Sequence, residues 1–303
     1  MERSRSLPRI CFWLSAALTL IGVTLRAVCM LCLFDADIGY FAVGLLPTLS
    51  NALYFVAAVA IVLCAALTPR NILPAAPKAE GADEAEQAPP PRLILPMELH
   101  TPGRAYAALL MGLALGGFTV ATLLLPDLFR GVSGKAVLAA NILGLLSSAY
   151  FFLSAHKDGR YPDWLSLLGF LPVFWAIAAV ADTYFDVYVT LNSPIKVSLQ
   201  VGLLGFMLIL LAELRFRVGR ALPRYSLAFL ALGAYACLVG SIPLLLATAV
   251  GAVSLPRYAL YAAVLAVVGL YAFYLLLHYT ASPAPATADA PVETSADVPH
   301  NAE

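Results

Sequence analysis

The sequence predicts an all-α, polytopic transmembrane helix bundle of about eight spans, with both termini in the cytoplasm. Three observations predict it. The 303 residues are 61% hydrophobic and 12% charged, where a soluble domain carries about 45–50% apolar and about 25% charged residues; mean hydropathy is +0.86. Eight stretches approach the roughly 20 apolar residues that a helix needs to cross a bilayer. Basic residues fall mostly on alternate connections. This composition excludes a soluble enzyme, and the even balance of 18 Lys+Arg against 18 Asp+Glu leaves no electrostatic footprint for a nucleic-acid partner.

In chain order the spans are Ile10–Phe34, Phe41–Leu67, Ala105–Leu125, Ala136–Ala155, Trp164–Ala181, Val197–Ala212, Ser226–Val250 and Tyr258–Tyr279. The first exceeds the roughly 7–15 residues of a signal-peptide core and no A-x-A-like site follows it, so it reads as a retained helix. Pro162, Pro194, Pro223 and Pro256 precede spans, where a first-turn proline costs nothing because its missing N–H would lack a partner anyway. Pro47, Pro172 and Pro243 fall inside spans and are expected to kink them. Ala108, Gly112 and Gly116 in the third span, and Ala140, Gly144 and Ser148 in the fourth, are small residues at helical spacing, the pattern that lets helices approach closely in lipid. With the N-terminus inside, 13 Lys and Arg lie on the cytoplasmic side and four, Arg130, Lys135, Lys196 and Arg257, on the other. The positive-inside rule then fixes the orientation.

Four regions follow. Residues 1–67 carry the first two spans, 68–104 form a Pro/Ala/Glu-rich cytoplasmic loop, 105–279 carry a six-span bundle, and 280–303 form a cytoplasmic tail. The loop and tail are nearly free of aromatics and are expected to be disordered, since they cannot bury enough surface to offset chain entropy.

Polar residues inside the spans are the candidate site. Arg26 lies roughly 12 Å below the outer end of its span at 1.5 Å per residue, where a guanidinium costs about 2.5–3.5 kcal/mol and needs a partner, water or a route to the headgroups. Asp182 and Asp186 at the outer end of the fifth span, Asn141 in the fourth, Gln200 in the sixth and Asn51 in the second lie at comparable depths. If their faces converge, Arg26, Asp182, Asn141 and Gln200 form an outward-facing polar cavity; the plainer expectation is a buried Arg26–Asp182 staple or an Arg26 that reaches the headgroups. The i,i+4 spacing of Asp182 and Asp186 resembles the DxxxD of membrane prenyltransferases, but those carry two cytoplasmic acidic motifs, and solvated helix-end acids fit better. Cys29-Met30-Leu31-Cys32 resembles the C-x-x-C of quinone-linked thiol oxidoreductases without their second cysteine pair. Glu213 and Arg217 form a favourable i,i+4 pair beside further arginines. The histidines have no metal-ligand spacing, and no nucleophile motif occurs, so neither metal nor cofactor is expected.

From Tyr150-Phe151-Phe152 through Asp182…Asp186, Leu191-Asn192-Ser193-Pro194-Ile195-Lys196 and Glu213-Leu214-Arg215-Phe216, the chain resembles uncharacterised multi-pass membrane proteins of anaerobic Gram-positive bacteria. The resemblance implies a plasma (inner) membrane location and brings no activity with it. Partners are therefore the lipid bilayer and either a small molecule, bound or transported through the polar cavity, or a membrane protein, for which this chain is a non-catalytic assembly, scaffold or sensor subunit. A membrane enzyme would need chemistry from the acidic pair or the C-x-x-C.

Overall fold

The structure, a computed structural model, describes residues 2–35, 38–68, 102–126, 134–156, 163–217 and 223–281. In order these form α1 (Glu2–Cys32), a hairpin of β1 (Phe34–Asp35) and β2 (Tyr40–Phe41), α2 (Leu45–Ala66), α3 (Pro102–Leu124), α4 (Gly134–His156), α5 (Asp163–Leu168), α6 (Leu171–Tyr184), α7 (Pro194–Arg217), α8 (Pro223–Ala249) and α9 (Pro256–Ala281). Seven of these helices are long and apolar enough to cross a membrane. The chain is an all-α, multi-pass membrane protein. The Pro/Ala-rich stretches 69–101 and 282–303, expected to be disordered, lie outside the described residues, as do the side chains of Lys135 and Arg217.

Prolines mark helix starts as the sequence indicates. α7, α8 and α9 begin at Pro194, Pro223 and Pro256, the first-turn position where fixed φ is an advantage. The expected kinks divide differently. Pro243 lies inside α8, but Pro47 is the third residue of α2 and Pro172 the second of α6, so both initiate helices. The fifth span is therefore interrupted: Gly169 and Phe170 turn between α5 and α6, with Phe170 N–H donating to the Leu167 carbonyl at 3.1 Å. The 14 residues of α6 reach only about 21 Å, short of a hydrocarbon core of about 30 Å.

α8 is the most enclosed helix, packed mainly on α7 and α9, while α1 and α2 cover another of its sides. α3 and α4 pair closely, α3 also resting on α9, and α6 wedges between α4 and α7. The α3–α4 pair uses the small residues anticipated: Ser148 donates to the Gly112 carbonyl at 2.7 Å, and Gly144 faces Thr119 and Trp175. The approach of α7 to α8 is equally tight. A Cβ on Gly240 would stand 2.5 Å from the Ser198 carbonyl oxygen, so glycine there lets α8 press on the first turns of α7. Leu49, Phe55, Val59 and Leu63 leave α2 with an apolar outer face, as suits lipid contact.

Arg9 in α1 donates to the Thr280 carbonyl in α9 at 3.5 Å, and Arg224 at the start of α8 donates to Thr68 just beyond α2 at 2.9 Å. At the other end Arg26 meets the starts of α2 and α7, and Arg257 at the start of α9 meets the end of α6. α1 thus starts, and α9 finishes, at one end of the bundle, which needs an even number of passes. Beside the seven long helices, α6 is the shorter apolar helix between α4 and α7.

Candidate functional site

Arg26 is 3% exposed. Its Nη1 donates to Asn51 Oδ1 at 2.8 Å, and its Nη2 donates to the Pro194 carbonyl at 3.0 Å and to Ser198 Oγ at 2.6 Å. Ser198 Oγ itself donates to that same carbonyl at 2.6 Å. Phe41 of the hairpin lies over the guanidinium, its ring centre 4.8 Å from Cζ, and the Tyr54 ring lies 5.9 Å away. Tyr54 in turn meets Tyr235 of α8 edge-on at 5.7 Å. Among the described residues no carboxylate comes within 4 Å of Arg26. Charge-assisted bonds of this kind contribute about 1.5–3 kcal/mol each, which offsets an effective desolvation cost of several kcal/mol. They leave the positive charge uncancelled.

The surroundings raise the potential further. Arg26 sits against the first turn of α7, a helix N-terminus with an effective charge of about +0.5. Lys196 in that same turn is 1% exposed and donates to the carbonyls of Asp186 at 2.8 Å and Val189 at 3.4 Å. Two further buried donors, Arg26 Nε and Tyr54 Oη, make no hydrogen bond within the protein.

Asp182 lies elsewhere. It forms an ion pair with Arg257 of α9, not the staple with Arg26 that the sequence suggests. Tyr261 donates to Asp182 Oδ2 at 2.7 Å and Tyr258 to Asp186 Oδ2 at 2.9 Å, while Arg257 Nη1 stands 3.5 Å from Asp186. The two carboxylate side chains are 9% and 4% exposed, so they are buried and neutralised, not solvated helix-end acids. A cation and two tyrosines fill their coordination, which leaves them spoken for as an internal clasp joining α6 to α9. Tyr258 is buried in that clasp.

Asn141 accepts from Thr122 Oγ1, joining α4 to α3. With Phe118, Val137, Ala140, Asp182 and Tyr261 these two line a void of about 10 Å³, at the threshold for one water molecule. Gln200 has a buried Nε2 that makes no hydrogen bond within the protein. Of the four residues anticipated to converge, Asn141 and Asp182 therefore share a void, and Arg26 occupies a separate position between α1, α2 and α7. Cys29 is buried and Cys32 exposed, and both are free thiols.

Asn51 is identified by its depth in the sequence, but Ser198, Phe41 and Tyr54 are not. Ser198 had a usable signal: it stands one turn after Pro194, at the level Arg26 reaches from the opposite direction. Arg257 and Tyr258 read in the sequence only as a Pro-Arg-Tyr helix start, which looks the same whether it faces headgroups or a buried acid, and Tyr261 carried no signal.

No protein-family model matches the sequence, and comparison with curated proteins and with solved structures finds no match. The functional reading therefore rests on geometry.

Proposed function

We propose that this protein resides in the plasma membrane with both termini cytoplasmic, and binds a small anion at Arg26 as a binding or transport protein. One observation carries this reading: a guanidinium 3% exposed, within an apolar bundle, held among the described residues by neutral oxygens and aromatic rings. Charged side chains inside membrane proteins pair with one another or mark ligand pathways, and the carboxylates of Asp182 and Asp186 are committed to Arg257. An anion about 4 Å from Arg26 gains about 4 kcal/mol at an effective dielectric constant near 20. The alternative role as an assembly subunit would draw on the small-residue faces, yet Gly112, Gly116 and Gly144 are occupied by α3–α4–α6 contacts inside the chain.

Native mass spectrometry of protein extracted gently from its membrane tests this. An anionic adduct on the wild type, lost in Arg26→Leu, is the expected result. An adduct unchanged by the substitution, together with an unfolding temperature indifferent to every anion tried, overturns it.

A further inference from the structure

We infer that the connection between α6 and α7, residues 185–193, is seated in the lipid headgroup layer at the Arg26 end of the bundle, with Phe185, Val187, Tyr188 and Leu191 turned into the edge of the hydrocarbon. This inference is independent of the anion-site reading. It starts from a reversed distribution of polarity. A connection bathed in water turns its charges outward, because charged groups are almost never buried without a partner. Here Phe185, Val187, Tyr188 and Leu191 are 75%, 84%, 74% and 56% exposed, while the charged side chains within and just after the segment turn inward. The Asp186 carboxylate is 4% exposed and faces Arg257 and Tyr258, and Lys196 is 1% exposed. A single exposed apolar residue is ordinary. Four so close in sequence, with no outward charge among them, make a contact surface.

The backbone agrees. Carbonyls in water need no partner from the protein, whereas those against lipid do. Lys196 Nζ donates to the Asp186 and Val189 carbonyls at 2.8 and 3.4 Å. Tyr188 N–H donates to Asp186 Oδ1 at 2.9 Å, and Ser193 N–H to the Thr190 carbonyl at 3.0 Å. A buried ammonium spent on two loop carbonyls suits a place where water is scarce. The segment also has a polar part: Thr190 and Asn192 are exposed, and a Cβ on Gly39 of the hairpin would stand 3.0 Å from Thr190 Oγ1. The hairpin itself carries the exposed Asp35, and Asp37 lies outside the described residues. Polar side chains beside the hairpin and apolar ones on either side of them in sequence fit the headgroup layer. They do not fit the hydrocarbon centre, where lipid-exposed irregular backbone does not occur.

Continuity identifies the occupant as lipid. Phe174, Ile177, Ala181 and Tyr184 stand three to four residues apart along α6 and are all exposed, the spacing of one helical face. Val197, Leu204 and Leu211 form a matching exposed stripe on α7. In a membrane protein these are the faces that meet lipid, and the apolar residues of the connection lie between the last of one stripe and the first of the other. Tyr184 and Tyr188 add the apolar body and polar tip that settle at the headgroup level.

The experiment is nitroxide spin labelling of the full chain in lipid nanodiscs, read as collision with oxygen, which concentrates in hydrocarbon, and with a water-soluble nickel chelate. Cys32→Ser removes the exposed native thiol and leaves the buried ones. The label is placed at Val187→Cys, at Tyr188→Cys, and at Leu204→Cys as the reference within the bilayer. All three side chains are exposed, so the variants are expected to keep the wild-type unfolding temperature. The ratio of oxygen to nickel collisions at 187 and 188 is expected to be severalfold above that of free label in buffer and below that at 204. A ratio equal to that of free label puts the connection in water and overturns the inference. Weak collision with both reagents also overturns it, being the mark of a protein partner or a second copy over the surface. The wild-type chain, in nanodiscs holding a lipid with a diazirine near its glycerol, gives a check without substitutions. Adducts mapped to residues 184–192 are expected, and adducts on α7 with none on this connection overturn the inference.

Discussion

The clasp between α6 and α9 gives the most quantitative expectation. Asp182→Asn removes one charge and almost no volume. Tyr261 keeps an oxygen to donate to, so its 2.7 Å hydrogen bond survives, and the loss is confined to the ion pair with Arg257. Removing one partner of a buried pair costs about 3–5 kcal/mol because the other charge stays buried and uncompensated. Here Asp186 remains 3.5 Å from Arg257 Nη1, which preserves partial compensation and places the expected cost near the low end, about 3 kcal/mol. Arg257→Gln should cost at least as much, since it removes the cation that both carboxylates face and leaves them with the tyrosine hydroxyls. The double variant Asp182→Asn with Arg257→Gln removes opposite charges together and should be about 2 kcal/mol less costly than the sum of the singles. Unfolding by SDS in mixed micelles, run as a double-mutant cycle, measures this. Additivity within about 0.5 kcal/mol, or a negligible effect of Asp182→Asn alone, would refute the picture of a buried, mutually dependent pair.

Three further expectations are independent of it. Gly144→Leu drives a side chain into Thr119 and Trp175, whereas Gly117→Leu meets nothing within 4 Å; the first should cost over about 2 kcal/mol by overpacking and the second stay within about 0.5 kcal/mol in the same SDS assay. Gly39 sits at φ +76° at the hairpin turn, so Gly39→Val should cost about 1–2 kcal/mol locally and speed hydrogen exchange at Ala42 N–H, which bonds the Leu33 carbonyl at 2.7 Å; unchanged exchange would show the hairpin does not need that conformation. Cys32, exposed at the Arg26 end, should react with an impermeant maleimide in intact cells, and labelling only after permeabilisation would reverse the orientation.

Seven of the eight apolar runs, the helix starts at Pro194, Pro223 and Pro256, and the α3–α4 contact through Gly112, Gly116 and Ser148 were legible because each is a local or near-periodic property. Apolar length is set by bilayer thickness, a first-turn proline by its own missing N–H, and a small-residue stripe by helical spacing. The interruption at Gly169–Phe170 was less legible, since apolar content continues through it and only Pro172 marks the new start.

What the chain alone determined, then, is a set of apolar helices, their alternation across the bilayer and the residues that are costly to bury there. Which of those residues meet was decided by tertiary structure. Depth along a span constrains one coordinate of a side chain, whereas pairing also depends on helix rotation and on which helices are neighbours. Asp182 and Arg26 read at comparable depths in the sequence, yet the end of α6 meets the start of α9 and Arg26 reaches the start of α7, so Asp182 took Arg257 and Arg26 was left with Asn51, Pro194 and Ser198. Packing between helices far apart in sequence placed a lone cation among neutral oxygens.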